Sequence, residues 1–114
     1  MRKIFGIGET VFDIIFKDGT PQAAKPGGSV LNSLVSLGRI GLPASFISEY
    51  GMDDVGTLID TFLNSNGVNT SFVYRYGDAN TSLAIAMLNE KNDAHYTFYK
   101  DFPENRLNVE FPLI

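Results

Sequence analysis

The stretch Pro26-Gly27-Gly28-Ser29-Val30-Leu31-Asn32-Ser33-Leu34-Val35-Ser36-Leu37-Gly38-Arg39-Ile40-Gly41-Leu42-Pro43 decides how the chain is read. Val30, Leu31, Leu34, Val35, Leu37 and Ile40 recur at helical spacing, so the segment from Ser29 reads as an amphipathic helix. Ser29 is a candidate N-cap, because its hydroxyl can accept a free backbone N–H. Gly41, followed by Pro43, stops the helix. Gly27 and Gly28 expose backbone N–H groups at the electropositive helix start, an arrangement suited to an oxygen-rich ligand. Asn32, one turn in, offers that ligand both a donor and an acceptor. A glycine turn with a routine cap explains the same residues without any ligand.

Outward from this helix the pattern alternates. Upstream, Lys3 to Gly8 reads as a short buried strand and Thr10 to Phe16 as a second extended stretch. Lys17 to Pro21 is a turn cluster, and Gln22 to Lys25 reads as a connector. Downstream, Ala44 to Tyr50 is a strand, and Gly51-Met52-Asp53-Asp54 a turn with acidic caps. Val55, Leu58, Ile59, Phe62 and Leu63 then form the apolar stripe of a second helix, closed by Asn66-Gly67. Ser71 to Tyr76 is the next strand. Ser82 to Leu88 and His95 to Lys100 form a hairpin around Asn89 to Asp93. Strand–helix–strand–helix–strand implies an α/β domain with a largely parallel sheet, to which the late hairpin is an antiparallel addition.

Composition narrows the chemistry. The 114 residues carry 13 acidic and 9 basic side chains, a net charge of −4, which argues against a duplex nucleic-acid partner. Mean hydropathy is near zero, and no apolar run reaches the roughly 18 residues of a membrane-spanning helix. Without cysteine there is no disulfide, thiol nucleophile or thiolate zinc site. With His95 as the single histidine, a multi-histidine metal site cannot be built. The apolar stretch after Met1 is too short for a signal peptide, so a cytoplasmic protein is expected.

Among local motifs, Gly6-Ile7-Gly8 invites a dinucleotide reading, but position 11 is Val11 and the next residues look extended rather than helical. A tight backbone turn at a strand end is the preferred explanation. No P-loop is present, since none of the five lysines follows a glycine-rich loop. Asp13 stands in an apolar run, where a carboxylate needs hydrogen-bonding partners or solvent. Such a group can accept hydrogen bonds from substrate hydroxyls. His95 reads as a surface or packing residue. Tyr96, Phe98 and Lys100 alternate with Thr97 and Tyr99, so one strand face carries two aromatics and a cation, fit either to cover a ligand or to pack.

Taken in order, these residues resemble the N-terminal part of a ribokinase-like (PfkB-type) carbohydrate kinase. The likeness rests on Gly27-Gly28-Ser29-Val30-Leu31-Asn32, on Leu37-Gly38-Arg39-Ile40-Gly41, and on Gly51-Met52-Asp53-Asp54-Val55-Gly56, a G-x-D-x-x-G motif. Gly6-Ile7-Gly8-Glu9 with Asp13 is similar to the family's opening strand and its sugar-contacting aspartate. Phe98-Tyr99-Lys100 resembles the aromatic–basic segment of the fructokinase and ketodeoxygluconate-kinase branches. Val30 and Leu34 depart from the small residues usual at their positions.

The resemblance implies a partial three-layer Rossmann-like core with a small β lid, residues 1–114 forming the N-terminal portion of one kinase domain. Segments of about 12–21 and 82–100 would make the lid. It further implies ATP-dependent phosphoryl transfer to a sugar hydroxyl, fructokinase-like, with ATP and Mg2+ as cofactors of the intact enzyme. Asp13, Gly27, Gly28, Asn32, Phe98 and Lys100 would contact the sugar. A homodimer through the lid is implied, with no nucleic-acid or membrane partner. The G-x-G-D segment that supplies the family's catalytic base does not occur in this sequence. The 114 residues are therefore expected to hold no catalytic base, metal site or ATP site, and to be inactive alone. They are expected to be a truncated piece with an exposed sheet edge where Phe111-Pro112-Leu113-Ile114 ends it. A non-catalytic carbohydrate-binding module and a lid-mediated dimerisation fragment are the alternative readings.

Overall fold

The computed structural model describes residues 2–107; the expectation for the apolar end at Ile114 lies outside the described residues. Two four-stranded sheets organise these residues. The first is parallel throughout. β1 (Ile4–Ile7) and β4 (Ala44–Gly51) pair from Ile4↔Ala44 to Ile7↔Ile47. β5 (Val68–Asn69) and β6 (Val73–Tyr76) continue one another along β4, with Ala44↔Val68 and Ser48↔Val73 as first pairs. The strand expected over Ser71 to Tyr76 thus starts at Val73, and the two-residue β5 precedes it. Val73 donates to Thr70 O at 3.1 Å, a turn that interrupts the ladder.

The second sheet has the order β3-β2-β7-β8. β2 (Val11–Lys17) and β3 (Thr20–Gly27) form a hairpin through Asp18 and Gly19, both at positive φ (51° and 73°), the geometry of a tight turn that matches strand twist. β3 overturns the expectation of a connector at Gln22 to Lys25. Its alanines, lysine and two prolines carry no strand signal, and pairing with β2 supplies what propensity lacks. Pro21 and Pro26 are tolerated because β3 is an edge strand. β7 (Leu83–Leu88) runs parallel to β2, and β8 (Ala94–Tyr99) antiparallel to β7, as the hairpin reading required.

Helix α1 (Ser29–Arg39) and helix α2 (Asp54–Ser65) pack on the same face of the first sheet. Leu31, Leu34 and Val35 of α1 meet Ile59 and Leu63 of α2 over Ala44, Phe46 and Tyr50, alternate residues of β4. Ile40 and Leu58, placed by periodicity on the apolar stripes, are 73% and 56% exposed, so the buried arc is narrower than the sequence pattern. α1 ends in a Schellman motif: Leu42 N donates to Leu37 O and Gly41 N to Gly38 O, with Gly41 at φ 87°. Gly38 has no room for a side chain, because Asn66 and Gly67 at the end of α2 press against it. The cap expected of Ser29 does not form. Gly28, at φ 131°, is the N-cap residue, and no side chain caps α1.

Gly6 and Gly8 have a role other than a tight turn. A Cβ at Gly6 would meet Leu34 at 2.7 Å and Val30 at 2.8 Å, and one at Gly8 would meet Val30 at 2.7 Å. The large residues at 30 and 34 thus fit against β1 because the strand offers no side chains there. The first sheet with helices on one face, and Phe5 packed on Phe72 at 5.9 Å on the other, is a partial Rossmann-like α/β core.

Candidate functional site

The second sheet joins the core where β1 and β4 end, and the predicted residues gather there. Asp13 sits in β2, paired with Lys25 of β3 and with Ala84 of β7, which in turn pairs with Phe98 of β8. Paired residues share a face, so Lys25, Asp13, Ala84 and Phe98 form one row across the sheet. The next row on that face is Ala23, Ile15, Ala86 and Tyr96. Ala84 and Ala86 are 1% and 3% exposed and make a low floor between Asp13 and an aromatic wall. Tyr96 and Phe98 stack with centroids 6.2 Å apart, and Lys100 Nζ lies 5.4 Å from the Phe98 ring centroid.

Gly27 lies against Asp13: a Cβ added there would fall on the carboxylate. Gly28 follows, with the Glu9 carbonyl where its Cβ would stand. Asn32 N closes the first turn of α1 on Gly28 O at 3.0 Å, and the Asn32 side chain is exposed. Lys100 Nζ donates to Glu9 Oε1 at 2.6 Å, which ties the end of β8 to the same corner. Asp13, Gly27, Gly28 and Asn32 therefore form one cluster at the uncapped start of α1. Phe98 and Lys100 flank it from β8, two strands or about 10 Å away across the sheet. Burial pushes the Asp13 carboxyl above its ordinary value, and the Lys25 charge opposes that rise.

Sequence reasoning left unassigned a second cluster, at the C-terminal end of β4. Asp53 is the N-cap of α2 and accepts from Gly56 N at 2.9 Å. It also accepts from Thr81 N at 2.8 Å and Thr81 Oγ1 at 2.6 Å, and Thr81 Oγ1 accepts from Gly51 N at 2.8 Å. Gly56 packs on the Gly51 carbonyl with no space for a Cβ. Each fixed position of G-x-D-x-x-G thus has a steric or hydrogen-bonding cause. Burial pulls the Asp53 carboxyl up, and the hydrogen bonds outweigh it, holding the group below its ordinary value. The acidic turn signalled the cap; its link to Thr81, 28 residues on, had no local signal. His95 is exposed on β8, and among the described residues no three His, Cys, Asp or Glu side chains are placed to hold a metal.

A parallel core with a separate clasp sheet over its strand ends is a partial ribokinase-like α/β fold. The crystal structure of a fructokinase with bound ATP from Xylella fastidiosa superposes with a TM-score of 0.74 at 25% identity, over 86% of this chain and 33% of that one. An uncharacterized sugar kinase from Pyrococcus horikoshii gives 0.78 at 25% identity, over 88% and 34%. The chain belongs to the pfkB family of carbohydrate kinases, whose profile matches residues 1–108. It is 26% identical over 98 residues to a fructokinase of Vibrio alginolyticus, covering 86% of this chain and 32% of the relative. It is 30% identical over 107 residues to fructokinase-1 of Zea mays, covering 89% and 33%. The chain thus spans about a third of the length of the curated relatives it matches.

Proposed function

We propose that this chain is the sugar-side portion of an ATP-dependent carbohydrate kinase, fructokinase-like in substrate, in which Asp13, Gly27, Gly28 and Asn32 bind sugar hydroxyls. The observation that carries this reading is the Asp13 carboxylate resting on Gly27 beside the uncapped start of α1. A carboxylate accepts from hydroxyls, uncapped amides donate to them, and Asn32 does both. Phe98 and Lys100 close the far side, and the second sheet, lid segments 12–21 and 82–100, excludes water from the reacting hydroxyl. We extend the first lid segment to Gly27, where β3 ends.

The sequence carries neither a glycine-loop lysine for the phosphates nor a G-x-G-D segment. We assign the nucleotide, the metal and the catalytic base to residues outside this stretch. A cytoplasmic location belongs to the same proposal; no described helix is long and apolar enough to cross a membrane. A homodimer through the second sheet is also proposed, because the face away from Asp13 carries Ile14, Ile85 and the exposed Met87 and Tyr99. Isothermal titration of D-fructose into the chain tests the central reading. Saturable heat abolished by Asp13→Ala is expected; heat that survives that change, or none at all, overturns it.

A further inference from the structure

Among the described residues four crossings connect the second sheet to the core, and they are built differently. The crossing from β1 to β2 carries Thr10, 5% exposed, hydrogen-bonded to Ser48 Oγ at 2.8 Å. Ser48 gives its own proton to Gly8 O at 2.6 Å, so Thr10 is the donor. The crossing into β7 carries Thr81, also 5% exposed, whose hydroxyl bridges Gly51 N and Asp53 Oδ1. Ser48 and Gly51 lie three residues apart on β4, about 10 Å along one strand. The crossing Gly27-Gly28 carries no hydroxyl, and the segment after β8 passes the surface ion pair Lys100–Glu9 and returns to the same strand, where Arg106 and Leu107 N both bond to Glu49 of β4.

We infer that Thr10 and Thr81 are positioning residues that set the tilt of the second sheet, and of Asp13, Phe98 and Lys100 with it, over the start of α1, one through Ser48 and the other through Asp53. Two hydroxyls fixed to one strand define a line, and a sheet hung from that line has one rotation left. That rotation moves Asp13, Phe98 and Lys100 together toward or away from Asn32 and the start of α1. A buried hydroxyl whose partner is removed leaves an unsatisfied group, so each pin resists displacement. The consequence for ligand affinity rests on the sugar-site reading above; the pins themselves do not.

Hydrogen exchange of the chain without ligand tests the pins. In Thr81→Val and in Thr10→Val, amides of β2 and β7 should exchange about 10-fold faster, while those of β4 change by less than about 2-fold. Thr81→Ser keeps the hydroxyl and should restore the wild-type rates. Ser48→Ala breaks the Thr10 pin from the strand side and serves where a valine variant does not fold. Equal acceleration in β4 and in the second sheet means a general loss of stability and overturns the inference, as do unchanged rates in β2 and β7. In the same variants D-fructose affinity should fall about 10-fold, with the serine variant near wild type. Failure of D-fructose to bind the wild-type chain counts against the sugar site alone, because the exchange experiment contains no sugar.

Discussion

The Asp13 carboxylate occupies the space a Cβ at Gly27 would need. Glycine at 27 is therefore required by the side chain of a neighbouring strand rather than by its own backbone conformation. Gly27→Ala should displace the carboxylate and leave the backbone in place. We expect stability to fall by about 1–3 kcal/mol, the range of an overpacked site. D-fructose affinity should fall at least about 10-fold. Combined with Asp13→Asn, the loss in affinity should be clearly less than additive, since both changes remove one interaction. Additive losses by calorimetry would separate Gly27 from Asp13.

Asp13 itself should show opposed effects on stability and binding. Its carboxyl is raised in the folded chain, by burial first, against the Lys25 charge. A carboxyl raised on folding binds its proton more tightly in the folded state. It therefore destabilises the fold fully above its folded pKa and not at all below its ordinary value of 3.8. Asp13→Asn should raise the melting temperature at pH 7, leave it unchanged near pH 3, and weaken D-fructose binding at least about 10-fold without abolishing it. A lower melting temperature at pH 7 contradicts this.

The helices and most strands were legible because their signals are local. Leu31, Leu34 and Val35, and Ile59 and Leu63, repeat at helical spacing, and glycine at 41 and 67 marks each stop. β3 was not legible, because Ala23, Ala24 and Lys25 become strand only through pairing with β2. The Ser29 cap fails for a related reason: the sequence shows a good capping residue but not that Gly28 occupies the cap position at φ 131°. The site divides the same way. Asp13, Gly27 and Asn32 stood out by residue type in context, whereas Thr10 and Thr81 are ordinary threonines until β4 brings Ser48 and Asp53 to them.

Gly28 carries both kinds of constraint. Its φ of 131° suits glycine alone, and the Glu9 carbonyl lies 2.5 Å from where a Cβ would stand. Backbone atoms cannot swing away as a side chain can. Gly28→Ala should therefore destabilise more than Gly27→Ala, by about 2–4 kcal/mol from strain and clash together. Urea unfolding of the two variants side by side checks the ranking, and equal losses would refute it.

Asp53 should make the fold acid-sensitive. Its folded pKa is depressed, the bonds from Thr81 and Gly56 overcoming burial, so the stabilisation is complete above 3.8 and is lost as pH falls through the folded pKa. Asp53→Asn removes the charge and should be less stable than wild type at pH 7. The gap should narrow steadily as pH drops below 3.8. Urea midpoints from pH 7 to pH 2 read this directly, and a gap constant over that range argues against an ionised cap.

The outer face of the second sheet makes the last prediction. Ile14 pairs with Ile85, and Phe16 with Met87, which is 43% exposed; Tyr99 beside Leu83 is 57% exposed. A monomer gains nothing by presenting this apolar row on the side away from Asp13, whereas a second copy packed on it would bury the row. Sedimentation equilibrium should show a dimer, and Ile85→Asp should shift it to monomer, because a carboxylate at the centre of an apolar interface is desolvated without a partner. Ile85 points away from the Asp13 row, so the variant should keep D-fructose affinity within about 3-fold if the dimer only supports the site. A wild-type monomer at high concentration would assign this face no role in self-association.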